Sequence, residues 1–442
     1  MTTEQRATNR STDREILRLA VPAFLALVAE PMFLLADAAI VGHIGTRELA
    51  GLGIAGAIIQ TAVGLCVFLA YGTTASVSRR IGSGDLRGAI SQGIDGIWLA
   101  VIIGTVTTVV GISTTPWLVG LFGASGPVAD HATAYLRIAF LGTTPLLVML
   151  AATGVLRGML DTRTPLVAAV VGNLINIVFN LVLVYGLGPV PALGLEGSAI
   201  GSVLAQVLMA AMLVYVVVRG ARAHEASLRP DVPGILAAAH SGVALVVRTL
   251  TLRAALLVTT YAAVRAGGDV GMAAHQLAMT LWGFLAFVLD AIAIAAQALT
   301  GRRLGASDRD GTRAITGRMI RWGIMSGVVT GLALAASSQV IGHLFTDDPH
   351  VVDALAPLLL AAAVAQPVAG YVFVLDGVLI GAGDGAYLAW GGLVVLVAYA
   401  PLALMAPDLT WLWISFGFGF MGVRAVVLGL RARGEKWMVL GR

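Results

Sequence analysis

Apolar residues fill this chain in runs of about 20 or more, broken by short polar stretches. Six runs are read at roughly 16–41, 52–78, 92–116, 132–156, 165–187 and 197–218. Six more follow at roughly 238–264, 271–299, 319–343, 354–380, 386–407 and 409–430. A run of that length crosses the ~30 Å hydrocarbon layer of a bilayer as an α-helix, so the pattern predicts twelve membrane-spanning helices. Strands of a transmembrane β-barrel would alternate apolar and polar positions over about ten residues. These runs are instead apolar on every side. The stretch after Pro233 also suits a linker helix leading into the seventh span.

The two sets of six are copies of one another. Ser78-Arg79-Arg80-Ile81-Gly82-Ser83-Gly84-Asp85 returns as Gly301-Arg302-Arg303-Leu304-Gly305-Ala306-Ser307-Asp308, 223 residues later. At the same interval Leu121-Phe122 returns as Leu344-Phe345, and Gly154-Val155-Leu156, Gly158 and Asp161 as Gly377-Val378-Leu379, Gly381 and Asp384. Because each half holds an even number of spans, both insert with the same orientation. The expected fold is therefore an all-α integral membrane protein of twelve transmembrane helices, in two six-helix lobes related by a pseudo-twofold axis along the membrane normal.

Composition agrees. Of 442 residues 58% are hydrophobic and 12% charged, with a mean hydropathy of +0.90, more apolar side chain than a water-soluble fold hides. The 54 glycines suit close helix contacts in lipid, where no hydrophobic effect drives association. Arginines cluster in alternate loops, at Arg79, Arg80, Arg87, Arg157, Arg163, Arg219, Arg222, Arg302, Arg303 and Arg309, and near both ends, whereas the opposite loops hold Arg47 and Arg265. By the positive-inside rule both termini are expected in the cytoplasm of a multi-pass plasma-membrane protein. The same reading makes the double-arginine loops topogenic rather than nucleic-acid contacts.

Residues 1–14 are expected as a cytoplasmic tail, 15–218 as the N-lobe, 219–234 as an inter-lobe linker, 235–430 as the C-lobe and 431–442 as a second tail. Met1 to Arg14 lacks the charged, apolar, small-residue order of a cleaved signal, so the first run is expected to be retained. Cys66 is the lone cysteine, which excludes an internal disulfide and a multi-cysteine metal site.

Ionisable groups inside apolar runs cost on the order of 2.5–3.5 kcal/mol for an Asp at a helix centre. The first run carries two, Glu30 and Asp37, seven residues apart on one helical face, with Pro31 between them as a candidate hinge. The repeat counterpart of Asp37 is Thr260. A carboxylate confined to one copy favours a functional role over an architectural one. Asn173, Asn176 and Asn180 share one face of the fifth helix, and their counterparts are Leu396, Tyr399 and Ala403. Either these amides glue helices together, or they build a hydrated, proton-binding pocket around Asp37. Asp290 and Asp376, with Arg248 and Arg253 to neutralise them, read equally as ion pairs or as substrate contacts in a cavity. His43, His275 and Gln276 are expected in solvated or capping roles at helix mouths. Gly82-Ser83-Gly84-Asp85 lacks the Lys-Ser/Thr of a phosphate loop, so an ion gradient rather than ATP is expected to drive any transport.

These residues also match a family. Glu30-Pro31-Met32-Phe33-Leu34-Leu35-Ala36-Asp37-Ala38-Ala39-Ile40-Val41-Gly42 resembles the first-helix signature of the multidrug and toxic compound extrusion (MATE) transporters of the DinF-like branch. Gly154-Val155-Leu156-Arg157-Gly158, running on to Asp161-Thr162-Arg163-Thr164-Pro165, is similar to that family's loop motif, and Leu375-Asp376-Gly377 through Asp384 to its tenth-helix segment. The resemblance covers roughly 14–430. It implies an antiporter, not an enzyme, that exports amphipathic, often cationic organic compounds by alternating access in exchange for H⁺ or Na⁺. It further implies that Asp37 is the coupling-ion residue, with Asn176 and Asn180 beside it. Many relatives carry Asp where this chain has Asn180, and the missing carboxylate favours H⁺, since Na⁺ prefers several hard oxygen ligands. No metal or other cofactor and no nucleic acid are expected. The expected partners are a small organic substrate and the bilayer, and the expected state is a monomer. Two rivals carry less support. A lipid-linked oligosaccharide flippase of the same superfamily would need a wide cationic cavity, and an intramembrane enzyme a catalytic dyad or metal cluster at depth.

Overall fold

A computed structural model describes residues 3–441, with side chains from residue 11 onward. Met1, Thr2 and Arg442 lie outside the described residues, and so does part of the expected 1–14 tail. From Thr3 the chain is already helical. In chain order the helices are α1 (Thr3–Gly42), α2 (Thr46–Leu65), α3 (Phe68–Gly82), α4 (Leu86–Leu121), α5 (Gly126–Leu141), α6 (Thr143–Gly158) and α7 (Arg163–Tyr185). They continue as α8 (Gly194–Ala223), α9 (Val232–Gly305), α10 (Arg309–Ser337), α11 (Pro349–Gly381), α12 (Gly385–Leu404), α13 (Leu409–Ile414) and α14 (Met421–Arg433). No strand occurs among the described residues.

Ten helical stretches are long and apolar enough to cross a bilayer, and α5 with α6, bent by 45° at Gly142, makes an eleventh. The 74-residue α9 is two helices joined at Gly268, whose φ of 57° and ψ of −154° are open to glycine and costly for other residues. Dividing it there yields the twelve crossings that the apolar runs predict. The second and twelfth are interrupted rather than regular: α2 gives way to α3 at Cys66, and a π-helical stretch at Ser415–Phe420 joins α13 to α14. Between the halves, Arg219 and Arg222 belong to the last turns of α8, so the connection comes down to residues 224–231.

The chain forms two compact units. One holds Leu25–His240; the other holds the chain up to Phe24 together with Ser241 onward. Within each, the doubled sequence makes doubled contacts. In the first unit a Cβ on Gly154 would stand 2.6 Å from the Ala70 carbonyl oxygen, and one on Gly158 3.0 Å from that of Thr74. In the second, a Cβ on Gly377 would stand 2.3 Å from the Ala293 carbonyl oxygen and one on Gly381 2.2 Å from that of Gln297. All four pairs keep the 223-residue interval. Helix backbones touch here with nothing between them, the small-residue packing that lipid-embedded helices use.

The double-arginine turns also coincide. Asp85 caps α4 by accepting from the Gly88 N–H at 2.9 Å and meets Arg80 at 3.3 Å. Asp308 caps α10 through Gly311 at 2.8 Å and meets Arg303 at 2.7 Å. Each turn needs one left-handed residue, which is Gly84 (φ 81°) in the first copy and Ser307 (φ 56°) in the second; likewise Gly383 (φ 74°) has Leu160 (φ 62°) as its counterpart. A side chain in that region costs on the order of 1 kcal/mol. Ser307→Gly and Leu160→Gly should each raise the unfolding temperature in detergent, and Gly377→Leu should cut the folded yield several-fold, read by fluorescence-detected size-exclusion chromatography.

Candidate functional site

In the first unit the buried carboxylate of Asp37 lies amid polar side chains from neighbouring helices. Asp37, 4% exposed, reaches α1's neighbours through a single oxygen. Its Oδ1 accepts from Asn180 Nδ2 of α7 at 2.8 Å and from Ser198 Oγ of α8 at 2.6 Å. Two donors on one carboxylate oxygen are charge-assisted bonds, stronger than neutral ones. Tyr135 of α5 lines the same cavity as Asp37 and Ser202.

The local sequence explains the assembly. Asn176 and Asn180, one turn apart on α7, both turn inward and are buried, while Leu174, Val178 and Leu181 are exposed on another face. Opposite them α8 presents Gly197-Ser198 and Gly201-Ser202. A Cβ at Gly201 would stand 2.1 Å from Asn180 Oδ1, and one at Gly197 2.5 Å from the Leu183 carbonyl. The glycines bring α8 close and the serines supply the hydroxyls. Asn176 Nδ2 donates to Ser202 Oγ at 3.3 Å. The Oδ1 atoms of Asn176 and Asn180 are buried without a hydrogen-bond partner among the described residues.

Asp37 also lines a cavity of about 300 Å³ whose wall includes Phe33, Gln60, Tyr135, Thr143 and Gln206. Its lining is mostly apolar with a few polar atoms, the make-up of a small-molecule pocket. Thr143 Oγ1 and Gln206 Oε1 are buried and without a hydrogen-bond partner among the described residues.

Other expected site residues fall elsewhere. Asn173 donates to the Ala29 carbonyl at 3.1 Å, two residues before Pro31, and α1 runs through Pro31 without a break. Glu30, on the face of Asp37 by spacing, is exposed, because α1 is not enclosed along its whole length. In the other unit Asp376 is paired with Arg248, whose Nε lies at 3.1 Å, and with Arg424 at 3.5 Å. Arg253 is exposed and Asp290 half-buried. His43 caps its own helix, with Nδ1 2.7 Å from the Ala39 carbonyl. His275 departs from the helix-mouth expectation: it is 1% exposed and stands edge-on to Trp413 at 5.9 Å, because α9 continues past it and turns it into the aromatic cluster of α13.

Among the described residues the second unit has no copy of the Asp37 arrangement. Thr260, the counterpart of Asp37, donates to the Leu256 carbonyl one turn back, and Thr259 bonds the Tyr399 hydroxyl at 2.7 Å. Sequence reasoning missed Ser198, Ser202 and Tyr135. Gly197-Ser198 and Gly201-Ser202, a small pair followed by a hydroxyl and repeated after one turn, was the legible signal for the serines; Tyr135 had none.

The MatE family model matches residues 22–182 and again 244–405. Among curated proteins, Protein DETOXIFICATION 44, chloroplastic, of Arabidopsis thaliana is 29% identical over 96% of this chain and 84% of its own length. DNA damage-inducible protein F of Escherichia coli K12 is 27% identical over 91% and 87%. Among solved structures, a MATE protein in the bent conformation superimposes with a TM-score of 0.88 at 22% identity, over 98% of this chain and 97% of that one. The MOP superfamily transporter of Pyrococcus furiosus gives 0.85 at 22% identity, over 96% and 95%.

Asn180→Leu should destabilise the protein by on the order of 1–3 kcal/mol by removing a donor from a buried carboxylate. Adding Asp37→Leu should recover part of that loss, as detergent unfolding of the single and double variants would measure.

Proposed function

The chain belongs to the MatE family of membrane transporters, and from that premise we propose that it exports amphipathic, cationic organic compounds by alternating access, in exchange for protons bound at Asp37. The observation that carries this reading is the position of Asp37, buried on donors from two helices and yet part of a cavity wall. A relative named probable multidrug resistance protein NorM, of Thermotoga maritima, 22% identical over 77% of this chain and 74% of its own length, supports drug export as the role. The arginine distribution supports an orientation with both termini in the cytoplasm, and a plasma-membrane location is part of the same proposal.

Ionised Asp37 ties α1 to α7 and α8 through Oδ1. Protonation removes the negative charge that makes those two bonds strong, and the neutral carboxyl gains a donor that neither Asn180 Nδ2 nor the Ser198 hydroxyl proton can satisfy. Released, α1 bends at Pro31, which donates no backbone hydrogen bond; the cavity wall shifts and the substrate leaves outward. One proton carries about 2.3 kcal/mol per 100 mV and about 1.4 kcal/mol per pH unit. For a singly charged cation exchanged one for one the electrical part cancels, so each pH unit sustains about a tenfold gradient.

One observation favours a second reading. The unpartnered amide oxygens of Asn176 and Asn180 are hard ligands beside a carboxylate, which suits Na⁺. Proteoliposomes loaded with a fluorescent organic cation, under separately imposed pH and Na⁺ gradients, separate the two: H⁺ coupling predicts transport under the pH gradient alone. Asp37→Asn should remain folded and lose at least tenfold in gradient-driven transport, and wild-type transport by that variant would sink the assignment.

A further inference from the structure

The starts of α1 and α9 are gripped by a matched pair of contacts that lie apart from the Asp37 site. In the unit containing Ser241 onward, Asp13 of α1 takes the Arg318 guanidinium of α10 on both carboxylate oxygens, and Trp322 Nε1 donates to Oδ1 at 2.8 Å. In the other unit, Asp95 of α4 accepts from the Asp231 backbone N–H at 3.1 Å, and Trp98 Nε1 donates to the Leu228 carbonyl at 3.1 Å. Arg318 follows Asp95 by the repeat interval of 223, and Trp322 misses it from Trp98 by one residue. The helices α4 and α10 are counterparts, so the third crossing of each half holds the start of the other half's first crossing. The unit boundaries at Phe24 and at His240 follow from this exchange. The residues differ, an ion pair in one copy and a carboxylate on a backbone N–H in the other, while the place is the same.

Both contacts are tightly made. Asp95 is 6% exposed, and a Cβ at Gly234 would stand 2.3 Å from its Oδ2, so α9's first turn rests directly on it. Opening that contact would cost the Asp95 carboxylate its backbone donor. The Asp13 pair is a bidentate, charge-assisted contact with side chains 23–24% exposed. Beyond each anchor the helix has a place to flex. In α1, Pro22 and Pro31 both lie between Asp13 and Asp37 and donate no helical hydrogen bond; in α9, Gly268 sits past the grip of Asp95.

We propose that Asp13, Arg318 and Trp322, and in the other unit Asp95 with Trp98, are positioning residues that stay engaged through the transport cycle. They fix the starts of α1 and α9 so that movement at the substrate site appears as bending beyond the anchors.

The test replaces Cys66 with Ala and introduces Asp13→Cys with Arg318→Cys, joined by a short bifunctional thiol reagent. Ethidium transport in proteoliposomes is then measured. Cross-linked protein is expected to transport within twofold of the Cys66→Ala parent, while Asp13→Ala falls at least fivefold in maximal rate with its apparent substrate affinity and unfolding temperature unchanged. Loss of transport on cross-linking would overturn the proposal, because the contact would then have to open. So would a wild-type rate in Asp13→Ala. Should Asp13→Ala not fold, Asp13→Asn keeps an acceptor for Trp322, and the same fall in rate is required of it. An inactive parent would point instead to the choice of substrate, which keeps the two readings distinguishable.

Discussion

Helix backbones that touch at glycine are the constraint on which this fold rests. In lipid the driving force that packs a soluble core is absent, so helices associate where their surfaces come close enough for dispersion and weak polar contacts. Gly154 and Gly158 against α3, and Gly377 and Gly381 against α9, each put a backbone carbonyl where a side chain would otherwise stand. Four glycines at one repeated interval thus set the same helix pair in both units. The same device positions the functional site, since Gly197 and Gly201 bring α8 near enough to α7 for Ser198 and Asn180 to meet on one carboxylate oxygen.

Architecture is shared between the halves and chemistry is not. The turns at Asp85 and Asp308 make corresponding bonds, each Asp capping the following helix and meeting the second arginine of its pair. At the position of Asp37, however, the second half has a threonine bonded to its own helix, and at the positions of Asn176 and Asn180 it has Tyr399 and Ala403, with Tyr399 packed into a cluster of Trp282, Trp413, Phe416 and Phe420. One copy's interior holds a carboxylate bonded to Asn180 and Ser198, and the other's holds aromatic contacts. A duplicated scaffold tolerates this because its register is held by the glycines and turns, which leaves the inward-facing positions free to diverge. The grips on α1 and α9 show the same independence, with arginine in one copy occupying the place of aspartate in the other.

Much of this was legible before any coordinates. Long apolar runs have no other stable form in a bilayer than helices, and repetition of Arg-Arg and Gly-Val-Leu at one interval exposes the doubling directly. Asp37 stood out for the same reason, as a costly group present in one copy. His275 was misplaced because a lone polar residue near a run's edge reads as solvated, and nothing in its own segment announces Trp413 far along the chain. Glu30 shares the helical face of Asp37 by spacing, yet one is exposed and the other enclosed, since a face is defined by the helix while burial is defined by what lies against it. Tyr135 gave no signal at all, being an aromatic residue in an apolar run.

The sequence by itself determined the helices, their number, their duplication and the isolation of one acid, because each follows from periodicity and repetition along a single strand of text. Tertiary structure alone decided that Asp37 meets Ser198 across 161 residues of chain, that Arg248 rather than Arg253 pairs with Asp376, and that each half's first helix begins in the other unit. Those outcomes depend on which surfaces of distant helices come within about 3 Å of one another. That distance is fixed by the packing of whole helices, and no local pattern encodes it.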